Sequence, residues 1–317
     1  MSLSLQNIPS VKEEGWQYTN LAKVLPGGLA CVPKEQEQDI IIHRNKGQLG
    51  GDPVTLKFSG CCGYFYSPRL QVNVLEGADL VLIERHDGAG NYWRNLEVEI
   101  TLGVGAKLRH YRVLEDGVEG VCTIKTHVTQ AENSSYESFS LLCGSKLTRN
   151  EFYVGLQGDA AHSSVNALTL LGEKQLGDTT VFVDHQAPHC TSDQFVRTLL
   201  TDRAHGVFQG KTKVGQIAQK TEATQMSNAI LLSDKCEMNA KPELEIYADD
   251  VECAHGNAIG TLDEMALFYM QQRGLPEADA RRLLVESFLD EALAEISHER
   301  TAETIRGLIT KRLKDLV

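Results

Sequence analysis

From about residue 38 to residue 252 the chain alternates apolar and polar residues in short runs, each closed by Gly, Asp or Asn. Leu96-Glu-Val-Glu-Ile-Thr-Leu102 and Cys122-Thr-Ile-Lys-Thr-His-Val128 show the pattern plainly. A period of two residues marks a strand with one buried face. The same texture predicts strands at 40–43, 80–84, 107–113, 136–142, 150–154, 165–171, 179–183, 195–200 and 229–232. No helical period interrupts it, which excludes a doubly wound α/β sheet with its crossover helices. A β-sandwich or barrel and a β-solenoid remain. The stretch is long for one sandwich, and its runs recur at solenoid spacing without a strict residue repeat, so the solenoid stands slightly ahead.

The texture changes at Gly260. Thr261-Leu-Asp-Glu264 reads as a capping box that opens a helix running to Arg273, with Gly274 placed as its left-handed C′ residue. Pro276 suits the first turn of a second helix, whose apolar stripe is Ala280, Leu284, Phe288, Ala292 and Ile296. A third follows the weak break at Ser297-His298, with Ile305, Leu308, Ile309 and Leu316 apolar and Lys311, Arg312 and Lys314 basic. Residues 1–37 read as irregular, with one short helix from Tyr18 to Val24. The expected organisation is thus an N-terminal segment 1–37, a mainly β core 38–259 and a helical domain 260–317.

Composition narrows the function classes. Acidic residues outnumber basic ones, 43 to 31, for a net charge of −12. That balance argues against a nucleic-acid backbone or an anionic membrane surface as the main partner. No apolar run approaches the roughly 20 residues that span a bilayer. The N-terminus shows no basic region followed by an apolar one, so a cytoplasmic location is expected. The eight cysteines are scattered, with no C-x-x-C pair. Free thiols are therefore expected, most of them small buried hydrophobes.

Four short motifs invite chemistry. Gly206-Val-Phe-Gln-Gly210-Lys211-Thr212 imitates a phosphate-binding loop but has three residues between its glycines where four are needed, and no helix follows. It reads instead as a solenoid turn. His185 and His189 have a spacing that would suit a metal on a helix, but Pro188 and the preceding strand argue for a turn. Asp249-Asp250 could suggest a carboxylate pair acting on a glycan, yet neighbours on a strand point to opposite faces. Cys253-Ala-His255 differs: residues i and i+2 share a face, and a thiolate with an imidazole suits zinc, iron or an iron–sulfur cluster. Two ligands do not close a site, so others would have to come from elsewhere.

Longer motifs carry a resemblance. His205-Gly-Val-Phe-Gln-Gly-Lys-Thr-Lys-Val214, Ala218-Gln-Lys-Thr-Glu-Ala-Thr-Gln-Met-Ser-Asn-Ala-Ile-Leu-Leu-Ser233 and Lys241-Pro-Glu-Leu-Glu-Ile-Tyr-Ala-Asp-Asp-Val-Glu-Cys-Ala-His-Gly256 resemble stretches of the SufB/SufD family of iron–sulfur cluster assembly proteins. Leu262-Asp-Glu264, Leu267-Phe-Tyr269 and Arg273-Gly274 continue the match, and Glu13-Glu-Gly-Trp-Gln-Tyr-Thr-Asn20 is similar to the family's N-terminal motif. The form with Cys253 and His255 is that of the SufD side of the family. Ala229 departs from the usual Asn, and Ala204-His205 from the commoner Arg or Ser. The region ahead of the solenoid is shorter than in many relatives, so their preceding helical domain is expected to be largely missing here.

The resemblance implies a right-handed parallel β-helix with a C-terminal helical domain and no catalysis by the chain itself. It implies pairing with a SufB-like chain across the β-helix and docking of a SufC-like ABC ATPase on the C-terminal helices. ATP hydrolysis would belong to that partner. Iron or a nascent iron–sulfur cluster would sit transiently at the subunit interface, with no cofactor held tightly by the isolated chain. His255 matches the residue implicated there, with Cys253 beside it. The pairing surface could also accept a second copy of the chain. The contrasting reading is a β-helix enzyme acting on a polysaccharide.

Overall fold

The computed structural model describes residues 8–25, 27–31 and 39–316, with only the backbone of residue 315. Its body is a parallel β-solenoid of two sheets. The first sheet holds β1 (Ala30–Cys31), β2 (Asp39–Arg44), β4 (Tyr64–Tyr66), β5 (Arg69–Val74), β7 (Trp93–Leu102), β9 (Val121–Gln130), β11 (Leu147–Leu156), β13 (Leu176–His185), β15 (His205–Val214) and β17 (Glu237–Ile246). The second holds β3 (Val54–Cys61), β6 (Asp79–Ala89), β8 (Lys107–Leu114), β10 (Ser135–Leu142), β12 (His162–Leu171), β14 (Thr191–Leu200), β16 (Glu222–Leu231) and β18 (Glu252–Gly260). From β5 onward successive strands cross from sheet to sheet, and each up to β16 pairs in parallel with the strand of the next coil. This settles the choice between sandwich and solenoid.

Every predicted strand is present, because alternation is imposed by an interior that accepts every second side chain. Val98, Ile100, Val128, Phe152, Val154, Val165, Val181 and Val183 stack there as one continuous apolar core. The segment His205–Val214 departs from expectation: it is a strand, not a turn. Its glycines answer to packing. A Cβ on Gly210 would meet the Phe208 ring at 2.7 Å, and one on Gly206 would meet Met238 Sδ at 2.7 Å.

The coil repeat is carried by backbone conformation. Gly47, Gly77, Gly105, Asn133, Ala160, His189 and Lys220 all have φ between 53° and 66° and occupy one corner of successive coils. Each donates its N–H to a carbonyl one coil further on, from Gly47 to Glu76 at 2.8 Å through to His189 to Gln219 at 2.9 Å. Four of the seven are not glycine, and a left-handed backbone costs an L-residue about 1–2 kcal/mol. Ala160→Gly is therefore expected to raise unfolding stability by up to about 1 kcal/mol. Gly105→Ala, where a Cβ meets nothing within 4 Å, should lower it by a similar amount through backbone strain alone. Denaturant titration of both variants checks the pair.

The C-terminal helices are α2 (Glu264–Gln272), α3 (Glu277–Leu293) and α4 (Glu299–Leu316). The cap of α2 differs from expectation. Asp263, not Thr261, accepts from the N–H groups of Met265 (2.8 Å) and Ala266 (3.2 Å). A carboxylate caps as well as a hydroxyl does and also suits the positive end of the helix dipole. Gly274 takes its left-handed turn (φ 89°), and Pro276 sits one residue ahead of α3 rather than within its first turn. Val285, Leu289, Ala292 and Leu293 of α3, with Ile305, Ile309 and Leu313 of α4, cover the outer face of the second sheet at Tyr111, Phe139, Leu168, Leu170 and Leu199.

The expected N-terminal segment lies partly outside the described residues. The described part includes α1 (Leu21–Val24), shorter than the expected 18–24, capped by Asn20, which accepts from the Lys23 N–H at 3.1 Å. It straps the first sheet: Trp16 lies over the Arg149 guanidinium at 4.0 Å, and Gln209 donates to the Gly15 carbonyl at 2.9 Å.

Candidate functional site

Three of the four motifs do not assemble a site. His185 is buried in the interior, where burial pushes its imidazole down to about 4, and its Nε2 meets Ser192 Oγ at 2.8 Å. His189 stands exposed at the left-handed corner, 2.9 Å from Asp159. The two rings therefore face different environments. Asp249 and Asp250 lie in a bend after β17, not on a strand, and Asp250 pairs with Lys220. Among the described residues no three His, Cys, Asp or Glu side chains come together as a metal site.

Cys253 and His255 lie on β18, the last strand of the second sheet. They stand in register with Ala223 and Gln225 of β16, both buried and inward-pointing. The pair thus continues the interior column of the solenoid into its final coil. No further strand covers that coil among the described residues, so β17 and β18 each leave one edge unpaired. Cys253 is half-buried against Val214, Ala218, Ala248 and Val251, and burial pushes its thiol up. His255 is exposed. Beneath it Gln225 Nε2 donates to Thr212 Oγ1 at 2.7 Å. A ligand pair on an open edge, with sulfur and nitrogen on one face, can hold a soft metal only in part; a second body seated on the edge would have to complete it.

Around this edge lie exposed Met226, Ile246, Tyr247 and Ile259. An open edge of hydrogen-bonding groups with apolar side chains is a template for pairing. A second exposed apolar row runs on α2 through Met265, Phe268 and Tyr269. Sequence reading identified the Cys/His pair but not these edge residues, since exposure depends on which coil is last. The cysteines also differ from expectation. All eight are free, but only Cys122, Cys190 and Cys236 are buried, while Cys61 and Cys62 are exposed at the end of β3 and the turn after it.

A buried ionic network also escaped sequence reading. Glu84, pointing inward from β6, accepts from Arg112 Nε at 2.8 Å and contacts His110 Nε2 at 2.7 Å and His86 Nε2 at 3.0 Å. Arg112 Nη1 donates to Asn150 Oδ1 at 2.7 Å. Burial alone would raise Glu84, but Arg112 and then His110 outweigh it and hold the carboxyl well below its usual range. Burial pushes His86 down to about 4. Charged and polar residues at alternate positions, as in His110-Tyr-Arg112, were the available signal.

Residues 61–288 match the family model for the SUF system FeS cluster assembly, SufBD core domain. An iron–sulfur cluster assembly SufBD family protein of Synechocystis sp. is 34% identical over 72% of this chain and 53% of its own length. The iron–sulfur cluster assembly protein SufD of Escherichia coli is 27% identical over 86% of this chain and 63% of its own. The chloroplastic protein ABCI7 of Arabidopsis thaliana is 31% identical over 84% and 59%. The chain thus spans between about half and two thirds of the length of these relatives. With the solenoid and the matched core in agreement, the chain belongs to the SufB/SufD family of iron–sulfur cluster assembly proteins, on its SufD side.

Proposed function

We propose that the chain is a non-catalytic scaffold subunit of a cytoplasmic SUF assembly complex, contributing half of a site where iron is acquired and a nascent cluster is assembled. The observation that carries this is the placement of Cys253 and His255 on the uncovered face of the last coil. The open edges of β17 and β18 would receive a SufB-like subunit, whose residues would complete the ligand set. A copy of the same chain is the alternative occupant in isolation. The exposed row Met265, Phe268 and Tyr269 on α2 would dock a SufC-like ATPase, which supplies ATP hydrolysis. Iron or the cluster is cargo on this reading, not a resident cofactor. No helix among the described residues is long and apolar enough to cross a membrane. The polysaccharide-enzyme reading is not favoured, since its candidate carboxylates lie in a bend, with Asp250 committed to Lys220.

His255→Ala is expected to leave the circular dichroism spectrum and partner binding unchanged, because the side chain is exposed. Cluster yield in the reconstituted complex should fall at least about tenfold, since loss of a residue that merely supports a ligand costs that much. Unchanged iron and sulfide content would remove His255 from the site.

A further inference from the structure

The interior of the solenoid is not uniformly apolar. Among the described residues, every buried side-chain polar atom that no protein group reaches belongs to an inward-pointing residue, apart from those of Arg197 and Arg312. They are also ordered along the axis. Leu82, His110, Ser138, Val165, Gln194, Gln225 and His255 occupy one inward position in successive coils of the second sheet. Glu84, Arg112 and Ser140 begin the column beside it. Across the interior, Asn150 and Thr179 are partners in register on the first sheet.

Between the Glu84 network at one end and His255 at the other, Ser140 Oγ, Asn150 Nδ2, Thr179 Oγ1, Gln194 Oε1 and Gln225 Oε1 all lack a protein partner, and Ser138 Oγ has at most the neighbouring Tyr136 hydroxyl. Each buried polar group left unpaired costs about 1–3 kcal/mol. A file of five such groups calls for an occupant that both gives and accepts hydrogen bonds. A cation would suit the Gln oxygens but not the Asn150 amide, and an anion the reverse. Serine and threonine side chains are short, so their hydroxyls stay close to the wall of the solenoid. Water fits this mixed, uncharged set, and buried water characteristically bonds such groups.

We propose that a file of ordered water molecules runs along the solenoid axis, from the Glu84–Arg112 network to the coil beneath His255. Where Val165 and Ala167 interrupt the two columns of the second sheet, Thr179 carries the file on the opposite wall. Protons pass along such a file by successive transfer, each water accepting one and giving one up, with no net change in the file. The buried Glu84–His110 pair thereby gains a route to the open end.

Oxygen-17 magnetic relaxation dispersion on the full chain counts waters held longer than rotational tumbling. Several are expected in the wild type. Fewer are expected in Ser138→Ala/Ser140→Ala, which removes two hydroxyls with little change of volume, and in Gln194→Leu. No long-lived water in the wild type, or an unchanged count in both variants, would overturn the proposal. So would a near-atomic crystal structure in which the Gln194 and Gln225 amides bond each other and the serine hydroxyls bond backbone carbonyls. The wild-type count decides even if a variant fails to fold.

Discussion

Arg112→Leu is expected to destabilise the chain by about 3–5 kcal/mol, a large fraction of what holds a typical domain together. Arg112 and Glu84 are both fully buried and make charge-assisted hydrogen bonds at 2.8 and 3.3 Å. Removing the guanidinium strands a carboxylate among neutral imidazoles, and it also orphans Asn150 Oδ1 and Thr126 Oγ1. His110 can recover part of the loss by taking a proton. The second arm of the test uses that logic: Glu84→Gln/Arg112→Leu removes both charges together and should cost less than Arg112→Leu alone. Denaturant unfolding of the three chains decides. A double variant worse than the single one would mean that shape and hydrogen bonding, not charge, dominate here.

Acid should begin to destabilise the chain above the range in which ordinary carboxylates titrate. His86 and His185 are buried neutral, each pushed down to about 4 by desolvation, and His110 is lowered for the same reason. In the unfolded chain an imidazole takes its proton near pH 6.5. Between about pH 6.5 and pH 4 the unfolded state therefore binds protons that the folded state refuses, and stability falls as pH falls across that window. His86 and His185 each contribute about 3 kcal/mol to the loss. Asp178 works the other way, because burial raises its carboxyl above the ordinary value. It offsets part of the loss only near the acid end. Urea midpoints measured from pH 7.5 to 4.5 should be nearly level down to about pH 6.5 and decline below it, and His185→Gln should flatten the slope. A midpoint independent of pH over this range would contradict the assignment.

The strands were legible because the interior takes alternate side chains, so Leu96–Leu102 and Cys122–Val128 announce themselves. His205–Val214 was not, because its inward positions include two glycines, one making room for Phe208 of the same strand and one for Met238 of β17. The coil repeat was hidden for another reason. Its mark is a backbone angle that Gly, Asn, Ala, His and Lys all adopt once the corner hydrogen bonds hold it. The shared face of Cys253 and His255 follows from spacing alone. That this face lies on the last coil, over Gln225 and Thr212, depends on register between strands about a coil apart in sequence and could not be read locally.

The left-handed corners also fix the grain size of change in this molecule. A single residue inserted within a strand would turn its inward side chains outward and pull the next corner out of line with its carbonyl. Excising the chain from one corner residue to the next would instead remove one whole layer and let the flanking layers meet in register. Lengthening or shortening is thus quantised in coils, and the distance between the Glu84 network and the His255 end can change only in steps of one strand spacing, about 4.8 Å.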